Sequence, residues 1–167
     1  MNPMVIGYNP GMRLSRRSEY GLRALIDLVR HEADGPVPLA TLAERNQLPP
    51  KFLEQIMATL KHGGIVRTTL GSHGGYALAP GASATSLSHV IRLLDGALAP
   101  VGCVSLLFYE PCSCPDEATC SLRDAMIDVR DRMLSLLDSE TLAQTAARPG
   151  TAEIDPHHLH PEAARGA

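Results

Sequence analysis

Apolar residues recur at helical spacing through the first part of the chain and then give way to short alternating stretches. Tyr20, Ala24, Leu25, Leu28 and Val29 fall on one stripe of a helix that Ser15 or Ser18 can cap and that runs to about His31. Ala33-Asp-Gly-Pro36 stops it. Leu39, Leu42 and Ala43 mark a second, shorter helix over roughly Pro38 to Arg45. A turn through Asn46–Leu48 leads to Pro49 and Pro50, which suit the first turn of another helix. That third helix, from about 50 to 62, carries Phe52, Leu53, Ile56, Met57 and Leu60 on one face, and Gly63-Gly64 end it. Ile65–Thr69 and Tyr76–Leu78 then read as two strands around Leu70-Gly-Ser-His-Gly-Gly75, where glycines allow a sharp left-handed turn.

Helix, turn, helix and hairpin in this order predict a winged helix-turn-helix: a mainly α fold with a small β-hairpin wing. A Pro/Gly/Ala/Ser linker at 80–86 follows, then an amphipathic helix over Leu87–Leu94 closed by Asp95-Gly96. A loop from Cys103 to Cys120 is broken by Pro111 and Pro115. From Ser121 to about Glu140 a long C-terminal helix carries Leu122, Met126, Val129, Met133 and Leu136 in steps of four and three, the spacing of a packed seam. That seam can be buried against the first helix or against a second copy of the chain, as a dimerisation helix. The organisation expected is a disordered leader at 1–11 and a winged-helix domain at 12–82. The cysteine loop and dimerisation helices follow at 83–142, and a disordered tail at 143–167. His157, His158 and His160 lie in that tail.

Composition narrows the function classes. The 167 residues are 44% apolar, enough for one core. No run approaches about 18 consecutive apolar residues, so no membrane span is expected. The first 11 residues lack the basic cluster and apolar run of a secretory signal, and a cytoplasmic protein is expected. Net charge is −3, but Met12–Arg67 holds nine Lys or Arg against six Asp or Glu. Phosphates respond to a local basic face and not to the sum, so an acidic total is compatible with double-stranded DNA as partner.

All four cysteines lie within 18 residues, with eight, one and five residues between successive ones. Structural zinc favours Cys-x2–4-Cys pairs, which are missing here. A flexible loop gathering spaced thiolates suits an iron–sulfur cluster, because sulfide shares the coordination. Zinc binding and thiol redox sensing stay open beside it. Glu110, Pro111, Asp116 and Glu117 place the loop at the surface. No His/Asp/Ser constellation, GxGxxG or phosphate loop stands out, which points away from an enzyme and from a small-molecule substrate.

Met12-Arg-Leu-Ser15, Glu19-Tyr-Gly-Leu-Arg-Ala-Leu25, Phe52-Leu-Glu-Gln-Ile56, Leu60-Lys-His-Gly-Gly-Ile-Val66 and Gly71-Ser-His-Gly-Gly-Tyr-Ala-Leu78 resemble the bacterial winged-helix iron–sulfur regulators that include IscR, NsrR, RirA and RsrR. The resemblance covers residues 12 to 142. It implies a homodimeric transcriptional regulator, usually a repressor, that senses redox, iron or nitric oxide status through a [2Fe–2S] or [4Fe–4S] cluster. It places the 50–62 helix in the major groove, with Lys51, Glu54 and Gln55 at base edges or phosphates. Arg13, Arg16, Lys61, Arg67 and His73 complete the expected DNA contacts. Many relatives carry Arg just before the first wing glycine, where this chain has Leu70; Arg67 and His73 are the nearby substitutes. For the cluster, the resemblance implies Cys103, Cys114 and Cys120 as ligands, with Cys112 an extra thiol able to take a ligand position. Where IscR-like members have a ligand His, this chain has Arg123, which cannot ligate iron. The carboxylate used by NsrR-like members corresponds to Glu19, which can equally be a first-turn acid that suits the helix dipole. The alternative reading is a thiol- or zinc-based cysteine module without a cluster.

Overall fold

The computed structural model describes residues 14–71 and 74–150. Within them the elements run α1 (Arg16–Arg30), α2 (Leu39–Asn46), α3 (Pro50–His62), β1 (Val66–Thr69), β2 (Gly75–Leu78), α4 (Leu87–Asp95), α5 (Ser121–Ser139) and α6 (Leu142–Ala147). Ser15 caps α1, its hydroxyl accepting the Ser18 N–H at 3.1 Å, while Ser18 itself is buried inside the helix. Pro50 opens α3 as expected of a residue whose missing N–H costs nothing there.

The apolar stripes converge on one core. Leu25, Leu42, Leu53, Ile56, Met57 and Leu60 are buried together with Val90, Ile91 and Leu142. Because α4 packs on α1 and α3, this core crosses the boundary expected near residue 82. The wing pairs antiparallel from Val66↔Leu78 to Thr69↔Gly75, and Val37 adds a third backbone to it through two 2.8 Å hydrogen bonds with Tyr76. Of the described wing glycines only Gly71 adopts a positive φ, +114°. Gly75 serves close approach instead, since a Cβ there would lie 2.4 Å from the Val37 backbone.

One expectation is overturned at the C-terminal side. Residues 143–147 are not the start of a disordered tail; they belong to α6, which Thr141 and Gln144 close with a capping box. Leu142 is fully buried, which stabilises the fold by about 2 kcal/mol, and Arg30 Nε donates to the Ala146 carbonyl at 3.1 Å. A six-residue helix of small side chains has too little periodicity to be seen in sequence. The leader at 1–11 and the histidines at 157, 158 and 160 lie outside the described residues.

Helix α5 lies along α4 and the 3₁₀ turn at Gly102–Val104. Buried Ser88 donates to Asp138, Arg92 Nη1 stands 3.4 Å from the same carboxylate, and Arg130 Nη1 donates to the Val104 carbonyl at 2.8 Å. Its inner side carries buried Leu134. The adjoining stripe is open: Leu122 and Leu136 are 63% and 71% exposed, with Met126, Val129 and Met133 half-buried between them.

Candidate functional site

Burial of Leu53, Ile56, Met57 and Leu60 turns the other side of α3 outward. Lys51, Glu54, Gln55, Ala58 and Lys61 are all exposed there, at spacings of three and four that make one stripe. Phe52 is drawn partly inward, its ring edge-on to Tyr20 at 5.8 Å. The second wing strand sits beside this stripe: partial burial, then the negative charge of Glu54, push the Tyr76 hydroxyl above its ordinary pKa. Arg67 is exposed on β1, where its Nε donates to the Leu78 carbonyl at 3.3 Å. Leu70 stands 95% exposed at the hairpin turn. Arg16 is exposed at the start of α1, while Arg13 and His73 lie outside the described residues. Sequence reasoning missed Arg17, whose Nη2 donates to Thr59 Oγ1 on α3 at 2.7 Å.

The cysteine loop is built on the start of α5. Cys120 is the N-cap of that helix, its Sγ accepting the Arg123 N–H at 3.5 Å. Cys114 Sγ stands 3.6 Å from Cys120 Sγ, and the Cys114 N–H points to Cys112 Sγ at 3.4 Å. Two thiolates on one tetrahedral metal with bonds of ~2.3 Å are roughly 3.8 Å apart, so the 114/120 pair already has the bite of a single metal. Cys103 departs from the expected surface loop: the 3₁₀ turn buries it to 7% exposure. Glu19 is exposed on α1 beside Arg23, 3.7 Å away, and is not brought to the cysteines within one chain. Among the described residues no three His, Cys, Asp or Glu side chains converge as a complete metal site.

The thiols differ in acidity for physical reasons. The backbone N–H of Arg123, then the Cys114 S–H, hold the Cys120 thiol below the usual range. Hydrogen bonding to Cys112 and Cys120, with burial, pushes Cys114 up to about 12. Burial raises Cys103, helped by the negative charges of Cys112 and Glu117. Arg123 supports the loop. Its Nε lies 3.1 Å from Glu117 Oε1 and donates to the Cys103 carbonyl at 3.3 Å, while Tyr109 donates to Glu117 Oε2 at 2.6 Å.

Residues 14–148 match Rrf2, a family described as iron-dependent transcriptional regulators. The chain belongs to the Rrf2 family. It is 33% identical over 154 residues to the protein rrf2 of Nitratidesulfovibrio vulgaris, covering 89% of this chain and 100% of that one. The regulator IscR of Yersinia enterocolitica is 32% identical, over 86% of this chain and 84% of its own. The solved structure of CymR, the global cysteine regulator of Bacillus subtilis, superposes with a TM-score of 0.68 and 30% identity, over 83% of this chain and 99% of that one. This Rrf2 protein is thus a winged-helix, DNA-binding transcriptional regulator, as the order of its elements predicts. Its relatives are regulators and not enzymes. Among the described residues no helix is long and apolar enough to cross a membrane.

A pH profile reads the thiol arrangement directly. In metal-free protein, iodoacetamide should alkylate Cys120 with a midpoint below the ordinary thiol value, while Cys114 stays protonated and slow. Cys114→Ala removes the S–H donor and should move the Cys120 midpoint upward. Site-resolved mass spectrometry over about pH 6 to 10 checks this, and equal rates at both cysteines would refute it.

Proposed function

We propose that this Rrf2 regulator is a cytoplasmic homodimeric repressor that senses redox, iron or nitric oxide status through an iron–sulfur cluster held in the cysteine loop. The observation that carries the reading is the Cys114/Cys120 pair, 3.6 Å apart at the mouth of α5. Cys103, Cys114 and Cys120 would be the thiolate ligands, Glu19 of a second copy the fourth, and Cys112 an additional ligand position. When bound, such a cluster supplies a centre that reacts with oxidants and nitric oxide.

The chain's own residues do the rest. Arg123 offers its backbone N–H to Cys120 and its guanidinium to the Cys103 carbonyl, so one residue orients two ligands. On α3, Gln55 can pair with adenine, Glu54 can accept from cytosine, and Lys51 can reach a phosphate or guanine. Arg16, Lys61 and Arg67 add phosphate contacts around that helix. The open stripe of Leu122, Met126, Val129, Met133 and Leu136 would pair with its copy. It borders a cavity of about 590 Å³ lined by Leu14, Ile91, Leu98, Met133 and Leu136, which knobs from a second α5 would fill.

A second reading has support of its own. The same thiol pair suits a cysteine-based redox sensor without a cluster, and the similar CymR of Staphylococcus aureus has been solved in an oxidized form. Anaerobic purification with iron, sulfide and zinc quantified per chain decides between them. Iron and sulfide in matching amounts, with absorbance at ~400 nm, are expected. One zinc per chain, or no metal after reconstitution, would overturn the cluster reading.

A further inference from the structure

Asp95 ends α4, where the negative end of the helix dipole disfavours a carboxylate. The start of α1 compensates. Ser15 Oγ donates to Asp95 Oδ1 at 2.5 Å while accepting the Ser18 N–H at 3.1 Å. One hydroxyl thus closes the α1 cap and joins helices 80 residues apart in sequence, and it sets the carboxylate at the positive end of α1. Two residues further on, Arg17 Nη2 donates to Thr59 Oγ1 at 2.7 Å, and Thr59 Oγ1 donates to the Gln55 carbonyl at 3.2 Å. The end of α4, the first turn of α1 and the outer face of α3 are therefore held by successive polar contacts.

The other side of Asp95 meets the cysteine loop. Gly96 has φ +84°, and a Cβ there would lie 3.2 Å from the Phe108 ring. Phe108 is held in turn by its N–H on Ser105 Oγ at 3.0 Å, two residues beyond buried Cys103. Asp95 and Leu14 also line the cavity beside Met133 and Leu136. A second copy covering that seam would shield the Ser15–Asp95 bond from water and strengthen it.

We propose that Asp95 is a positioning residue for DNA recognition: through Ser15 it fixes the first turn of α1, and through Arg17 the setting of the recognition helix. The proposal rests on α3 being that helix and is independent of what the cysteines hold.

The test uses the full-length protein as purified anaerobically and a duplex that the wild type selects from a random-sequence pool, with affinity read by fluorescence anisotropy. Asp95→Ala should bind about tenfold more weakly. Asp95→Asn, which keeps an acceptor for the Ser15 hydroxyl, should recover most of the loss. Arg17→Met and Thr59→Val should weaken binding to a similar degree. The double variant Asp95→Ala/Arg17→Met should lose less than the product of the single losses, because the contacts act in series. A simple loss of stability would not produce that shortfall. Wild-type affinity in Asp95→Ala, or fully multiplicative losses, would overturn the link. Gln55→Ala tests the premise separately: unchanged base preference there removes α3 as the reader and the proposal with it. Altered preference in Gln55→Ala beside a silent Asp95→Ala overturns the link alone.

Discussion

Leu136→Glu is expected to yield a folded monomer that binds a two-half-site duplex at least about a hundredfold more weakly than the wild type. The side chain is 71% exposed in one chain, so the change removes little from the core that holds the monomer together. In a paired seam the same change places carboxylates where an apolar knob belongs. A dimer engages its second half-site as an intramolecular event, and losing that linkage typically removes two to four orders of magnitude, roughly 10²- to 10⁴-fold. Light scattering for mass, a thermal melt for folding and anisotropy on one- and two-half-site duplexes separate the steps. The single-half-site affinity should be unchanged, because Lys51, Glu54 and Gln55 lie on α3 and not on α5. A Leu136→Glu protein that is still a dimer with full affinity would refute the seam.

Cys120→Ala is expected to reduce cluster iron to background after reconstitution. The residue has two tasks that this substitution removes together: it is half of the 3.6 Å thiol pair, and it caps α5 through the Arg123 N–H. Cys120→Ser separates them, since serine is a good N-cap and a poor substitute for a thiolate. Helicity should survive in Cys120→Ser while iron and sulfide are lost. Cys112→Ala, which leaves the pair intact, should keep most of both. Iron and sulfide per chain, the visible spectrum and circular dichroism report the three outcomes. Cys120→Ser protein holding wild-type iron would refute Cys120 as a ligand.

Much of this protein was readable from residue order because the signals are local. Apolar residues at three- and four-residue spacing in 50–62 place Leu53, Ile56, Met57 and Leu60 inside, and by the same geometry leave Lys51, Glu54 and Gln55 outside. The stripe from Leu122 to Leu136 was equally plain, and so was the concentration of all four cysteines in one loop. What those features face was not. Whether the α5 stripe turns in or out depends on Leu137 packing against the core that holds Val90 and Ile91 of α4, and on the Ser88–Asp138–Arg92 contacts, which join positions about fifty residues apart. The burial of Cys103, the support that Arg123 gives the loop and the docking of α6 on α1 are of the same kind. By itself the sequence determined which residues form helices, hairpin and thiol cluster, because propensity and periodicity act over a few residues. Only the tertiary structure decided which polar groups meet, because closing the chain around one core is what brings Ser15 to Asp95 and Arg17 to Thr59.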